Sequence, residues 1–573
     1  MLDLLIRGGT VVDGSGEPAR RADVGIKAGF IEALGTVDEP ASETLDATGQ
    51  MVTPGFIDPH THYDAQLFWD PFATPSNFHG VTTVIGGNCG FTLAPLVPSD
   101  ADYLRRMMSK VEGMPLAALE TGLPWDWESF DDYLGRLEGK LGVNAGFLVG
   151  HCALRRAVMG ADSIGNEANS AQIDAMARLL DASLAAGGLG FSTSRAFTHT
   201  DGDGEPVPSR WASVDEVVTL CEVVSGHEGT TLEFISNGCL NGFEDDDIDL
   251  AARMSLAAQR LANWNVLGID ARSPERVRQQ LGASERVAER GGRIVALTMP
   301  ILVGMCMSLR THCALHSIPG WAEVLTLPIP ERMEKLRDPA IRREMDERSH
   351  SKGAGVLAGL AHWGTYRVGE TFSEKNRDLS GRTIAEIADE RGASHFDTLV
   401  DVVLEDELRT VLWPAARGDD EASWKLRAEV WDHPDVLLGG SDAGAHLDRM
   451  CGSPYPTIFL GDCLRGRRIV AIERAVELIT RAPAELFGLR DRGVLREGAR
   501  ADVVVFDPDK IGAGDITEIH DLPGDSKRLV APALGVKRVI VNGATIVTED
   551  RTSGDTPGTL LRSGRDTRTV PLR

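Results

Sequence analysis

The sequence predicts an α/β protein: a (β/α)8 TIM barrel with a small β-sandwich formed from both chain termini and a long insertion between barrel strands 7 and 8. Three observations predict it. Short β-branched runs punctuated by turn residues occupy both ends of the chain. Eight apolar runs alternate with helical patterns between them, and one interval between runs is far too long for a loop.

The first fifty residues carry strand-like runs and turns in LLIRGGTVVDGSG, ADVGIKAGFIEALG and ETLDATGQMVTPGF. The pattern returns in DRGVLREGARADVVVFDPD and VKRVIVNGATIVTED, with Asn-Gly and Asp as turn residues. Residues 1–52 and 488–573 are therefore expected to pair as one β-sandwich, and residues 53–487 to form the barrel.

The eight barrel runs are MVTPGFID from Met51, GVTTVIGG from Gly80, NAGFLVG from Asn144, GGLGFST from Gly187, TTLEFIS from Thr230, WNVLGID from Trp264, RIVALTMP from Arg293 and VLLGGSD from Val436. Helical stretches such as SAQIDAMARLLDASLAAGG and SVDEVVTLCEVVSG follow them, as parallel β/α units require. Residues 301–435 are expected to form a helical insertion over the barrel mouth, serving either as extra packing or as a substrate-gating cap. Within it PERMEKLRDPAIRREMDERS and TIAEIADERGASHFDTLVDVVLEDEL each read as helix, and its surface could support a homo-oligomer. The closing DTPGTLLRSGRDTRTVPLR reads as a polar, mobile tail.

Charge narrows the partners. The chain has 59 Lys+Arg against 85 Asp+Glu, a formal net charge of −26, so its average field repels phosphate backbones and anionic membranes. Neither nucleic acid nor a membrane is expected as a partner. No window offers the roughly 18 to 20 uninterrupted apolar residues of a membrane-spanning helix. The opening MLDLLIRGG breaks its apolar run too early for a signal peptide, so a cytoplasmic location is expected. The eight cysteines are scattered without CxxC pairs, which suits reduced thiols.

The strongest chemical signal is Asp58-Pro59-His60-Thr61-His62, directly after the first barrel strand. Histidines at i and i+2 of an extended segment turn their rings to one side, and two imidazoles there can clamp a zinc-like ion. Near the end of the second strand, Gly86-Gly87-Asn88-Cys89-Gly90 offers a thiol that is either a ligand or a core residue under a glycine turn. Asp442, in Gly439-Gly440-Ser441-Asp442, ends the eighth strand beside the first in a closed barrel. It can bind metal and accept a proton from water that the ion acidifies. His151, ending the third strand in GHCALRR, could polarise a carbonyl or make a structural hydrogen bond. Arg195 to His199, His312, His362 and His446 lie on segments that could reach the mouth, and Trp264 and Trp363 could line a pocket; packing is the default reading of each.

These motifs, PGFIDPHTHYD, GVTTVIGGNCGF, VGHCALRRAVMG, GLGFSTS, GGSDAGAH and RAPAELFGLRDRGVLREGARADVVVFDPD, resemble the amidohydrolase superfamily in its N-acyl-D-amino-acid deacylase branch. The resemblance implies a metal-dependent (β/α)8 barrel hydrolase with His60 and His62 on one metal, Cys89 at a ligating thiolate position and Asp442 as the catalytic carboxylate. It departs at the fifth and sixth strands, where the branch carries metal-binding histidines. Here Glu233 and Asn265 fall nearest those positions, and the arginine that follows the fifth-strand histidine is absent.

The expected cofactor is a divalent metal, zinc foremost, as one or two ions. His60, His62 and Asp442 form its base, with Cys89 and Glu233 adding to it. The expected reaction is hydrolysis of an amide C–N bond in a small N-acyl amino acid or peptide-like molecule, with Asp442 as general base. Two rivals are weighed. A cyclic-amide hydrolase resembling hydantoinases or dihydroorotases would carry a carbamylated lysine on the fourth strand, and GGLGFSTS has none. A non-catalytic scaffold would have no use for the His60, His62, Cys89 and Asp442 set.

Overall fold

The computed structural model describes residues 1–311 and 313–572. Two compact units emerge, one of Met1–Ile301 with Asp420–Arg573, the other of Leu302–Asp419.

In the larger unit the termini build one nine-stranded sheet. Its strand Leu2–Val11 pairs antiparallel with Arg20–Lys27 on one edge. On the other it pairs first with Ala41–Asp46 and then, from Thr10, with Met51–Pro54. Val503–Phe506 pairs with Met51–Pro54 and with Val536–Val541, which joins the carboxyl-terminal strands to the amino-terminal ones. Alternate residues Leu4, Ile6, Val24, Ile26, Val52, Val503, Val505 and Ile540 point into its core, as the period of two requires.

The barrel strands are Phe56–Asp58, Val81–Gly86, Asn144–Phe147 continued by Val149–Gly150, Gly190–Ser194, Thr231–Ile235, Ala262–Trp264, Ile294–Thr298 and Val436–Leu438. The third strand breaks at Leu148: its first half pairs with the second strand and its second half with the fourth. Between eighth and first strands, the backbone bonds Asp442 N to His60 O (3.2 Å) and His62 N to Ala443 O (2.7 Å) close the ring at its carboxyl end. Ile57, Ile85, Leu148, Leu189, Leu261, Val295 and Leu437 fill the interior with Ala484, Leu486 and Leu561.

Several boundaries differ from the sequence reading. Met51–Pro54 belongs to the terminal sheet, so the first barrel strand starts at Phe56. The sixth strand ends at Trp264, where the expected run began. The separate unit covers Leu302–Asp419 rather than 301–435, because helix Glu421–Trp431 belongs to the larger unit as the helix that leads into the eighth strand. The closing segment is not a loose tail: Leu560 and Leu561 are buried, Leu561 N donates to Ala145 O (2.7 Å), and Thr567 Oγ1 donates to Gly229 O (2.6 Å). Its two leucines and a threonine supply the anchors that its polar neighbours obscured.

The smaller unit has its own core around Trp321, Leu325, Leu336, Trp363, Tyr366, Phe396 and Leu399. Both expected helices are split. Asp338 precedes Pro339, which disfavours helical backbone at Asp338, and its side chain caps Ala340 N instead. Gly392, at φ 62°, ends Ile384–Arg391 before Ser394 caps His395–Glu405.

His79 ties the first barrel crossover to the terminal region. Its Nε2–H donates to Ala531 O (3.0 Å) and its Nδ1 lies 2.7 Å from Thr457 Oγ1. Burial pushes its pKa from 6.5 to about 4. The native state thus prefers neutral imidazole, and this contribution is intact above pH 6.5. As pH falls from 6.5 towards 4 the unfolded chain takes up a proton that the native state resists, and about 3 kcal/mol is lost. Urea midpoints across that window should fall less in His79→Gln than in the wild type; parallel curves would contradict the assignment.

Candidate metal centre

The first strand delivers the histidines through a braced end. Asp58, fully buried, accepts from His60 N (3.4 Å) and from Ser441 N (3.2 Å), binding the first strand's exit to the eighth. Burial lifts its pKa to about 6 against these hydrogen bonds. His60 and His62 then meet edge to face with ring centroids 5.3 Å apart. Nδ1 of each ring is buried without a protein partner, and Nε2 is the atom each turns towards the carboxylates.

The second strand runs into a tight turn. Gly87 adopts φ 75°, and a Cβ there would stand 2.2 Å from Leu148 O, so only glycine fits. Cys89 follows in left-handed backbone at φ 56°, which places Sγ 3.6 Å from His60 Nε2. Burial, then the charges of Glu233, Glu112 and Asp442, hold its thiol well above the ordinary range, so thiolate forms there only with a cation beside it.

Asp442, at φ 59°, directs Oδ1 to 3.1 Å from His62 Nε2 and 3.6 Å from His60 Nε2, while Oδ2 lies 3.5 Å from His446 Nε2. Its side chain is 29% exposed, against 1% for His62, so it is the most open member of the group. Burial opposes its charge, but its bond to His62 and the charges of His62, His446 and His60 outweigh that and hold the carboxyl well below the usual range. A second carboxylate, Glu112, brings Oε2 to 3.5 Å from His62 Nε2. Burial disfavours a charged His62, yet Glu112, Asp442 and Asp64 together raise its pKa to about 10.

The spacings fit an ion. Ligands at zinc-like bond lengths around a tetrahedral centre stand about 3.4 Å apart for nitrogen and oxygen and about 3.6 Å for sulfur and nitrogen. The contacts observed, 3.1 to 3.6 Å between His60, His62, Asp442 and Glu112 and 3.6 Å from Cys89 to His60, match those spacings, and two of them, His60 to Asp442 and His62 to Glu112, are too long for hydrogen bonds. Ligand atoms of His60, His62 and Cys89, and of His62, Glu112 and Asp442, all lie within 4.8 Å of one another in each trio.

Other expected residues fall elsewhere. Glu233 is absent from both trios: Oε2 accepts from Cys89 N (2.8 Å) and Oε1 from Asn265 Nδ2, so it braces the thiol turn rather than facing the two histidines. Asn265 likewise spends its amide on Glu233 and, at 3.8 Å, on Cys89 Sγ. His151 is a correction. Its ring is wholly buried, Nε2 lies 2.8 Å from Glu216 Oε1 and Nδ1 2.9 Å from Thr193 Oγ1, so neither nitrogen remains for a carbonyl. Glu216 also receives Arg155, completing a wall-bracing network.

His446 joins the centre through Asp442. His199 packs against Phe91 with the rings tilted, and burial with the charges of His446 and His62 pushes its pKa down to about 3. Trp264 packs on Phe243 in the core. His362 and Trp363 belong to the Leu302–Asp419 unit, and His312 lies outside the described residues. Glu112 was not anticipated, since it stands at a helix end in a crossover, away from any barrel strand.

Histidines, a thiol and carboxylates converging at the carboxyl ends of the first, second and eighth strands form a candidate metal centre in a (β/α)8 barrel. The chain belongs to the Amidohydrolase family, which it matches over residues 43–547. It is 28% identical to the D-aminoacylase of Alcaligenes xylosoxydans xylosoxydans over 98% of this chain and 97% of that protein. Among solved structures it resembles the N-acyl-D-glutamate deacylase of Bordetella bronchiseptica, complexed with zinc and a phosphonate mimic of the tetrahedral intermediate: 27% identity, TM-score 0.62, covering 98% and 100% of the two chains. A D-aminoacylase described as having a binuclear metal centre with one-metal activation and second-metal attenuation matches at 26% identity and TM-score 0.64, over 98% and 100%.

Proposed function

We propose that this chain is a metal-dependent amidohydrolase that cleaves the amide C–N bond of an N-acyl amino acid, with an N-acyl-D-amino acid as the first substrate to try. The observation that carries it is the convergence of His60, His62 and Asp442 at ion-ligand spacing. The named relatives act on N-acyl-D-amino acids, and their full-length similarity supports the same bond type here.

His60, His62 and Asp442 would hold a divalent ion, zinc foremost, with Cys89 adjoining. When bound, that ion supplies a Lewis acid for the carbonyl and acidifies water to near neutrality. Asp442, kept ionised, accepts the proton of the attacking water and returns it to the leaving nitrogen, so the products are a carboxylate and an amine. His446 Nε2 stands 3.5 Å from Oδ2, near enough for its charge state to bear on that carboxylate without a hydrogen bond to it.

His199, buried and near enough to His446 and His62 to feel their charge, is the candidate for the role first expected of His151. Its Nδ1 lies 2.7 Å from Ser194 Oγ; in the tautomer where that hydroxyl donates, Nε2 carries the proton and the neutral ring would be able to donate to a developing oxyanion.

The test is a panel of N-acyl-D- and N-acyl-L-amino acids, dipeptides and cyclic imides offered to the zinc-loaded protein. Release of free amino acid from N-acyl compounds is expected. Activity confined to cyclic substrates would overturn the reading.

A further inference from the structure

We infer that Glu112 is a metal ligand, delivered by a helix end outside the barrel strands to the side of the centre formed by His62 and Asp442. The inference rests on the metal-dependent reading above and adds to it a residue that the barrel motifs do not contain.

The position of Glu112 is built. It follows helix Ala101–Val111, and its N–H donates to Met108 O (3.0 Å). Gly113 then turns the chain at φ +60°, where a Cβ would stand 3.2 Å from His446 Cα. Glu112 O accepts from His446 N at 2.5 Å. The loop that carries Asp442 therefore also clamps the backbone of Glu112, and the two carboxylates reach His62 from one junction.

Its carboxylate is spent on nothing else. Glu112 is 3% exposed, and among the described residues its side chain accepts no hydrogen bond; its one close partner is His62 at 3.5 Å. A carboxylate buried so costs several kcal/mol unless a counter-charge meets it. A separation of 3.5 Å is long for a hydrogen bond to imidazole and right for two ligands of one ion.

Glu233 supplies the contrast. Both of its oxygens already accept hydrogen bonds, from Cys89 N and Asn265 Nδ2. Of these two glutamates, Glu112 is the one whose carboxylate oxygen lies beside His62. Charge also balances: with neutral His60 and His62, the carboxylates of Asp442 and Glu112 neutralise a dication without requiring Cys89 as thiolate.

The test titrates metal-free wild type, Glu112→Gln and Glu112→Asp with zinc against a chromophoric chelator, and reads the visible spectrum of the cobalt(II) forms. Glu112→Gln should bind zinc about 100-fold more weakly or worse, with an altered cobalt spectrum. Glu112→Asp keeps the charge but shortens the reach, so it should lose affinity too; a purely electrostatic role would spare it. A loss under tenfold in Glu112→Gln with an unchanged cobalt spectrum overturns the inference, and the same criterion applied to Glu112→Asp decides if the glutamine variant does not fold. Wild type that binds no zinc would instead remove the metal-dependent reading beneath it.

Discussion

Replacing Asp442 by Asn is expected to lower kcat by about 10³- to 10⁴-fold while zinc still binds at saturating concentration. Amide oxygen can occupy the carboxylate's place but cannot accept a proton at neutral pH, so the attacking water loses its base and the leaving nitrogen its acid. His60 and His62 remain to hold the ion, although the affinity should weaken because an amide is a poorer ligand than a carboxylate. The loss should fall on kcat more than on KM, since proton transfer belongs to the transition state and not to substrate binding. Steady-state kinetics beside elemental analysis of the zinc-loaded protein read both quantities. Activity within tenfold of the wild type would remove Asp442 as the base.

His60, His62, Cys89 and Asp442 were legible in the sequence because each ends a barrel strand or lies a few residues beyond one, and the carboxyl ends of strands share one mouth whatever the loops do. His151 satisfied the same rule and still failed it. The helix His151–Met159 begins at that residue, which turns the ring into the wall, where Glu216 and Thr193 take both nitrogens. Glu216 is offered by a different helix, Val214–Ser225, and no spacing in the sequence links the two. Glu233 was placed on the correct strand, but its partner is the backbone of Cys89 across the barrel, a contact that depends on the left-handed turn at Cys89. Glu112 had no strand to announce it. The only local sign is the Glu-Gly-Met-Pro turn that ends its helix, and such turns end helices everywhere. Strand ends are thus readable from periodicity, while residues brought in by crossovers depend on loop packing that one sequence does not encode visibly.

The second large effect is expected at His62, and it should separate from that of His60. His62 is the one residue common to both ligand trios, and it faces Asp442 at 3.1 Å and Glu112 at 3.5 Å. Its loss should therefore abolish stoichiometric zinc binding and lower activity by at least about 10⁴-fold, since two ligand groups lose their shared member. A second consequence concerns the metal-free protein. With the charges of Glu112, Asp442 and Asp64 all acting on His62, His62→Gln leaves three carboxylates crowded in the barrel with no cation among them, at a cost of about 3 kcal/mol. His60 differs. Burial, then the charge on His62, pushes its pKa down to about 4, and Asp442 draws less on it than on His62 and His446. His60→Gln should weaken zinc but leave the stability of the metal-free protein nearly unchanged. Urea unfolding of the two metal-free variants, beside zinc competition, reads the distinction. Equal destabilisation, or wild-type zinc affinity in His62→Gln, would mean that His62 is not the electrostatic centre of the site.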